Sequence, residues 1–320
     1  MSATSSSERL RVMSRVMVAT VLAVLALVTS ADAVLVYQGK PANGRSGSIV
    51  AARNDGSDTR IIGRGVAPRV SPNGHKVAYI HPGVEGDQLF VVGNRGRRRH
   101  LLAAPTWDIG PFRAPLAWSH DGRYLIAPNA RGGGWLVDVR HRTKTHIRAG
   151  GDFFGGSFDP GGPMFAVAGL SRTRGETLRA VDAKTLERRR LAGGATPVWG
   201  SRGLAFSRGD SLLLRRHFGE RAETLLRRRA FAFDWSADGN RLLAYEESSV
   251  AREVVVIDLS PRRVKRVGHI FPGDISRDGT EILGQTGGSP NEADGDIVVA
   301  KLDGTFKVVA TNAGRPTWTK

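Results

Sequence analysis

Cysteine is absent from all 320 residues. That excludes disulfides, thiolate metal sites, a cysteine nucleophile and an acylated cysteine near the N-terminus. Strand pairing and packing alone must hold the fold. Helix-length apolar segments are also missing beyond the N-terminus. Forty glycines and fifteen prolines interrupt the chain, and its apolar runs last four to six residues, which is strand length. Lysine is scarce, at eight of 47 basic residues. No Gly-x-Ser-x-Gly elbow, His-Glu-x-x-His pair, Walker loop or EF-hand loop occurs, so no motif-borne catalytic chemistry is legible.

The one long apolar segment stands at the start. Arg9, Arg11 and Arg15 precede an apolar run from Val16 to Val28, followed by Ser30-Ala31-Asp32-Ala33. A basic flank, a short apolar core and an Ala-x-Ala exit describe a secretory signal peptide, with cleavage expected after Ala33. A bilayer-spanning helix needs about 20 apolar residues; an anchor over residues 16–33 is the alternative. The expected location is therefore secreted or extracytoplasmic, with residues 34–320 as a single domain.

Within that domain one pattern recurs about every 41 residues: an apolar strand, a Ser-x-Asp-Gly turn, and a second apolar strand. The clearest copies run from Leu116, Phe233 and Gly273, with turns at Ser119–Gly122, Ser236–Gly239 and Ser276–Gly279; others lie at Ser71–Gly74, Asp159–Gly162 and, worn, Trp199–Gly203. Asp-Gly supplies positive φ and local side-chain hydrogen bonds, so two strands can reverse in register. A second hairpin completes each copy, starting near Ile49, Gln88, Trp135, Thr177, Ser211, Glu253 and Asp296. A repeat of this length with several strands per unit predicts an all-β, seven-bladed β-propeller, with six blades as second choice. The C-terminal Arg315–Thr319 matches only an opening strand, and Val34–Tyr37 only a second strand. Pairing of the two would close the ring and leave no open sheet edge at the ends.

These units resemble the WD40-like (PD40) repeats of the TolB-type β-propeller family, whose pattern is Pro-x-Trp-Ser-Pro-Asp-Gly followed by an apolar strand. The likeness is good at Leu116–Ala127 and Phe233–Tyr245, fair at Pro68–Tyr79, Pro272–Gly284 and Pro316–Trp318, and covers nearly all of residues 34–320. It implies an extracytoplasmic, non-enzymatic scaffold that binds other proteins. Seven units are counted where TolB has six, and TolB's separate N-terminal α/β domain has no counterpart in the pattern.

The formal charge is +17, and removing residues 1–33 (three arginines against Glu8 and Asp32) leaves +16. The excess gathers in arginine clusters such as Arg97-Arg98-Arg99, Arg188-Arg189-Arg190 and Arg227-Arg228-Arg229, each beside the hairpin that leads to an outermost strand. Charge there discourages edge-to-edge association; equally, a basic rim attracts acidic polymers. The arginines are not interleaved with aromatic residues, so no stacking platform for specific nucleic-acid recognition is expected.

The leading expectation is an exported, monomeric scaffold that holds a protein or peptide of the cell envelope at a loop face or the central channel mouth. The candidate surface comprises Trp107, Asp108, Phe112, Asp152, Phe153, Phe154, Asp234 and Asp274, at junctions entering the innermost strands. An alternative is a hydrolase or lyase acting on a small carbohydrate or lactone, with Asp108, Asp152, Asp234 and Asp274 converging on the channel. No cofactor is expected, although the oxygen-rich loop carrying Asp294 and Asp296 has the composition of a Ca²⁺ ligand set.

Overall fold

The Ser-x-Asp-Gly segments form the tightest local structure in the molecule. In four copies the glycine N–H donates to the serine carbonyl at 2.8–2.9 Å, from Gly74, Gly122, Gly239 and Gly279. These glycines sit at φ between 65° and 73°, where a side chain would be strained. The serine hydroxyl donates to the acid two residues on (Ser119 to Asp121 and Ser236 to Asp238 at 2.6 Å, Ser276 to Asp278 at 2.7 Å) and accepts the N–H that opens the second strand. Hydrogen bonds from the Ser276 hydroxyl, then the Thr280 N–H, hold the Asp278 carboxyl at about 2, below the usual 3.8. A depressed folded-state value contributes stability above the ordinary pKa and loses it as pH falls through the folded one. Asp278→Asn is therefore expected to flatten the loss of melting temperature between about pH 4 and about pH 2.

The computed structural model describes residues 34–39, 47–83, 86–97, 99–106, 116–129, 133–171, 173, 175–247, 252–287 and 293–319. Among them every regular element is a β-strand. The chain opens with β1 (Val34–Gly39), β2 (Gly47–Arg53) and β3 (Arg60–Val70). The first half of β3 pairs with β2 and its second half with β4 (Lys76–His81), which continues into β5 (Asp87–Gly93) and β6 (His100–Thr106).

Four separate antiparallel sheets follow. They are β7 (Ala117–Trp118), β8 (Tyr124–Pro128), β9 (Gly134–Asp138) and β10 (Thr143–Ile147); then β11 (Asp152–Phe158), β12 (Met164–Ser171), β13 (Gly175–Asp182) and β14 (Arg188–Ala192). Next come β15 (Ala195–Gly200), β16 (Gly203–Arg208), β17 (Ser211–Arg215) and β18 (Glu223–Leu226), and finally β19 (Ala230–Trp235), β20 (Arg241–Glu247), β21 (Arg252–Leu259) and β22 (Arg262–Gly268). The chain ends with β23 (Phe271–Ile275), β24 (Glu281–Thr286), β25 (Gly295–Lys301) and β26 (Phe306–Trp318). Like β3, β26 serves two partners. Its first half pairs with β25, and its last residues pair with β1, placing Leu35 opposite Trp318 and Val36 opposite Thr317. One hydrogen-bonded order of ten strands, β23 to β26 and β1 to β6, thus joins the two ends of the chain.

The core lies between sheets rather than inside one. Ala205, Leu212 and Leu214 of one sheet pack with Trp235, Leu242, Val255 and Ile257 of the next. Likewise Ile126, Leu136 and Ile147 meet Phe165, Val167 and Val181. The middle strands, apolar on both faces, are buried from both sides, as their continuous runs of β-branched and aliphatic residues predict.

Candidate functional site

Segments of seven strands converge on one cavity of about 2120 Å³: the second half of β3, then β7, β11, β15, β19, β23 and the last residues of β26. One equivalent position, near the end of the opening strand of each copy, lines it seven times, as Arg69, Ala117, Ser157, Val198, Asp234, Asp274 and Thr317. Three of these side chains reach the next unit. Ser157 Oγ accepts the Trp199 N–H at 2.8 Å, Asp234 Oδ2 accepts the Ile275 N–H at 2.9 Å, and Asp274 Oδ2 accepts the Trp318 N–H at 3.1 Å. The opening strands that form the cavity wall are thereby stapled to one another by the wall's own polar residues.

Tryptophan adds a second set of staples. Trp235 Nε1–H donates to the Val198 carbonyl and Trp118 Nε1–H to the Arg69 carbonyl, each at 3.0 Å. Gly200 is required beside Trp235, because a Cβ there would stand 2.5 Å from the indole ring.

Charged side chains line the cavity at several places, and the most buried of them is Asp274. Asp274 is buried at 4 % exposure, and its second oxygen pairs with Arg69 Nη1 at 2.9 Å. Arg315 also lines the cavity, and burial holds its guanidinium below the ordinary arginine value. Arg315 and Ala67 both bend their strands at φ 52°, and their N–H groups are taken up by Gln285 Oε1 at 3.2 Å and Gln38 Oε1 at 3.4 Å. An aromatic cluster of Phe233, Tyr245 and Phe271 also lines the cavity, edge to face with ring centroids 5.5–6.3 Å apart. Burial raises the Tyr245 phenol above its usual value. Beside the cluster, Glu247 pairs with Arg229 at 3.3 Å and with Arg252 at 2.9 Å, and all three line the cavity.

Of the residues singled out in the sequence, Asp234 and Asp274 both line the cavity, as acceptors of the Ile275 and Trp318 N–H groups. Asp152 is exposed at the start of β11, and Phe153 is buried against Ile126, Ile147 and Val181. Nothing is described for the Phe154 side chain, and Trp107, Asp108 and Phe112 lie outside the described residues. Asp294 is exposed, and Asp296, the second residue of β25, stands opposite Thr286; the preceding loop residues 288–292 lie outside the described residues. Among the described residues no three histidine, aspartate or glutamate side chains cluster at metal-binding range, and no helix is long and apolar enough to cross a membrane. Arg69, Arg315 and the aromatic cluster are not apparent from the sequence pattern alone. Aligning the copies on their turns exposes Arg69, which stands where later copies carry aspartate.

No family model matches the chain, and no curated protein sequence matches it. Solved structures do. TolB from Acinetobacter baumannii superposes with a TM-score of 0.59 at 14% identity, over 90% of this chain and 66% of that one. The β-propeller domain of the Trilobed protease from Pyrococcus furiosus gives 0.62 at 12% identity, over 89% of this chain and 96% of that one. An oligogalacturonate lyase from Vibrio parahaemolyticus gives 0.57 at 10% identity, over 87% and 84%. At these identities the likeness establishes the fold alone: this is an all-β propeller with a TolB-like architecture. A lyase and the propeller domain of a protease stand beside TolB among its neighbours, so the shared fold selects no activity.

Proposed function

We propose that the chain is an exported, non-enzymatic scaffold that binds a protein or peptide partner at the mouth of its central channel. In this reading the ten-stranded order is three consecutive blades linked through the two-partner strands β3 and β26. With the four separate sheets they make seven blades, closed by the pairing of β26 with β1. The observation that carries the proposal is the cavity itself: seven opening strands contribute to it, and its Asp234 and Asp274 are committed to holding the wall together. What the mouth offers a partner is the aromatic surface of Phe233, Tyr245 and Phe271, flanked by Arg252 and Glu247. A wide apolar surface with a charged rim suits a polypeptide segment, in which aromatic anchors carry most of the binding energy.

A photo-crosslinking residue in place of Tyr245 tests this. It is expected to capture one discrete species in the cell envelope, whereas the same residue in place of the exposed Ile61 on the rim captures none. Phe271→Ala, made in the Tyr245-labelled chain, is expected to weaken that capture about tenfold or more, in line with losing an anchor worth at least about 1–2 kcal/mol. Equal labelling at both positions would overturn the reading, as would turnover of an oligouronide or lactone abolished by Asp234→Asn. Mass spectrometry of the exported protein is expected to find Val34 as its first residue.

A further inference from the structure

The arginines of the rim are not alike. Around β18 and β22 four of them are matched to acids: Arg216 and Arg262 both pair with Glu223, and Arg228 and Arg266 both pair with Glu246, at 2.7–3.0 Å. On β14 they are not. Arg188, Arg189 and Arg190 are exposed, and among the described residues none of them, nor Arg179 or Arg148, forms an ion pair with a carboxylate. The register makes this costly. Arg179 of β13 stands directly opposite Arg190, and Arg188 stands opposite Val181, so Arg179, Arg188 and Arg190 share one face. Like charges directly opposite each other destabilise a sheet. Discouraging edge association needs charge on the edge strand, not a repulsive pair across it.

That face is turned toward the preceding sheet, because Val181 packs with Leu136 and Ile147. There β10 carries exposed Thr143 and Thr145, opposite Asp138 and Leu136. Arg179 Nη1 also donates to the main-chain carbonyl of Arg148 at 3.5 Å, which ties the end of β10 to β13. Exposed arginines of one strand pair and exposed threonines of the neighbouring outer strand thus lie on the facing sides of adjacent sheets.

We propose that these facing sides of β10 and β14 bind a linear phosphodiester polymer. Planar arginine forks match phosphate oxygens bidentately, and threonine hydroxyls donate to the same group. Same-face residues along a strand repeat every ~6.8 Å, a length the six-bond repeat of an extended phosphodiester chain can follow. A bound polyanion also relieves the Arg179–Arg190 repulsion. This site is separate from the channel mouth and does not rest on the partner proposed there.

Binding of a fluorescent oligothymidylate, measured by anisotropy over a salt series, tests the assignment. Each phosphate neutralised on a single strand contributes about 0.7 to the slope of log K against log salt. Arg188→Gln with Arg190→Gln is expected to lower that slope by about 1.4, while melting at an unchanged or higher temperature. Arg227→Gln with Arg263→Gln removes the same charge from exposed arginines elsewhere and is expected to leave the slope unchanged. Arg188→Lys with Arg190→Lys is expected to keep the slope but weaken binding several-fold. The proposal fails if the wild-type chain does not bind at low salt, or if both glutamine pairs lower the slope equally. It also fails if poly-L-glutamate or phosphatidylglycerol vesicles of equal charge bind as tightly as the oligonucleotide.

Discussion

A chain shortened by residues 313–320 is expected to lose its cooperative unfolding transition. The deletion removes the strand that covers β1, and with it Ala313 and Trp318 from a cluster that includes Leu35, Tyr37, Leu283 and Ile297. Loss of a buried tryptophan alone costs about 3–5 kcal/mol, against a total stability of about 5–15 kcal/mol for a typical domain. The deletion also strips the Trp318 N–H from Asp274, the Thr319 hydroxyl that accepts the Val34 N–H at 3.0 Å, and the ladder along β1. A broad urea transition with a reduced m-value is the expected readout, since the exposed edge loosens the sheets on both sides of it. A sharp transition at the wild-type midpoint would show that the terminal strand is dispensable.

Asp274→Ala is expected to be the most damaging single substitution in the channel. It leaves the partly buried Arg69 without its carboxylate and the buried Trp318 N–H without its acceptor. Removing one member of a buried ion pair costs on the order of 3 kcal/mol or more, because the surviving charge stays desolvated. Arg69 keeps 24% of its side-chain surface in solvent, so the lower end of that range applies. Asp274→Asn keeps an oxygen for the Trp318 N–H and discards only the charge, so it is expected to recover roughly 1 kcal/mol of the loss. Urea midpoints of the two variants at constant m-value make the comparison. Equal losses would mean that the hydrogen bond to the backbone contributes nothing.

Both expectations concern contacts that the sequence shows unevenly. The turns are legible because their chemistry is local: serine, acid and glycine within four residues define the reversal, and φ above 60° at Gly74 or Gly279 follows from it. The second hairpins are legible for the same reason, and the strands beginning at Gly47, Asp87, Gly134 and Ser211 start within two residues of where the apolar runs place them. Contacts between units are not. Asp274 reads as one of several acids before an inner strand, and nothing near it in sequence announces Arg69. Phe153 shows the converse difficulty. An apolar residue at a junction has the same pattern whether it faces a channel or a neighbouring sheet, and packing against Val181 settles it. The arginine clusters look equivalent along the chain because their acids sit on other strands. Glu246, buried between Arg228 and Arg266, separates a neutralised edge from the open one at β14.

Circular closure is the claim on which the channel, its stapled wall and its mouth all depend, and the cysteine-free background allows it to be tested directly. Gly39 and Ala313 are register partners across β1 and β26, and space around Gly39 admits a side chain, since a Cβ there would stand 3.7 Å from its nearest neighbours. Partners in an antiparallel ladder have Cα atoms ~4.5–5.5 Å apart, within the span of a disulfide. The measurement is thiol content and non-reducing electrophoresis of the Gly39→Cys, Ala313→Cys chain, with its melting temperature before and after reduction. The expected result is a monomer with no free thiol, running faster than its reduced form and melting higher, since bridging so long a loop can add up to roughly 5 kcal/mol. Two free thiols, or disulfide-linked dimers, would contradict closure.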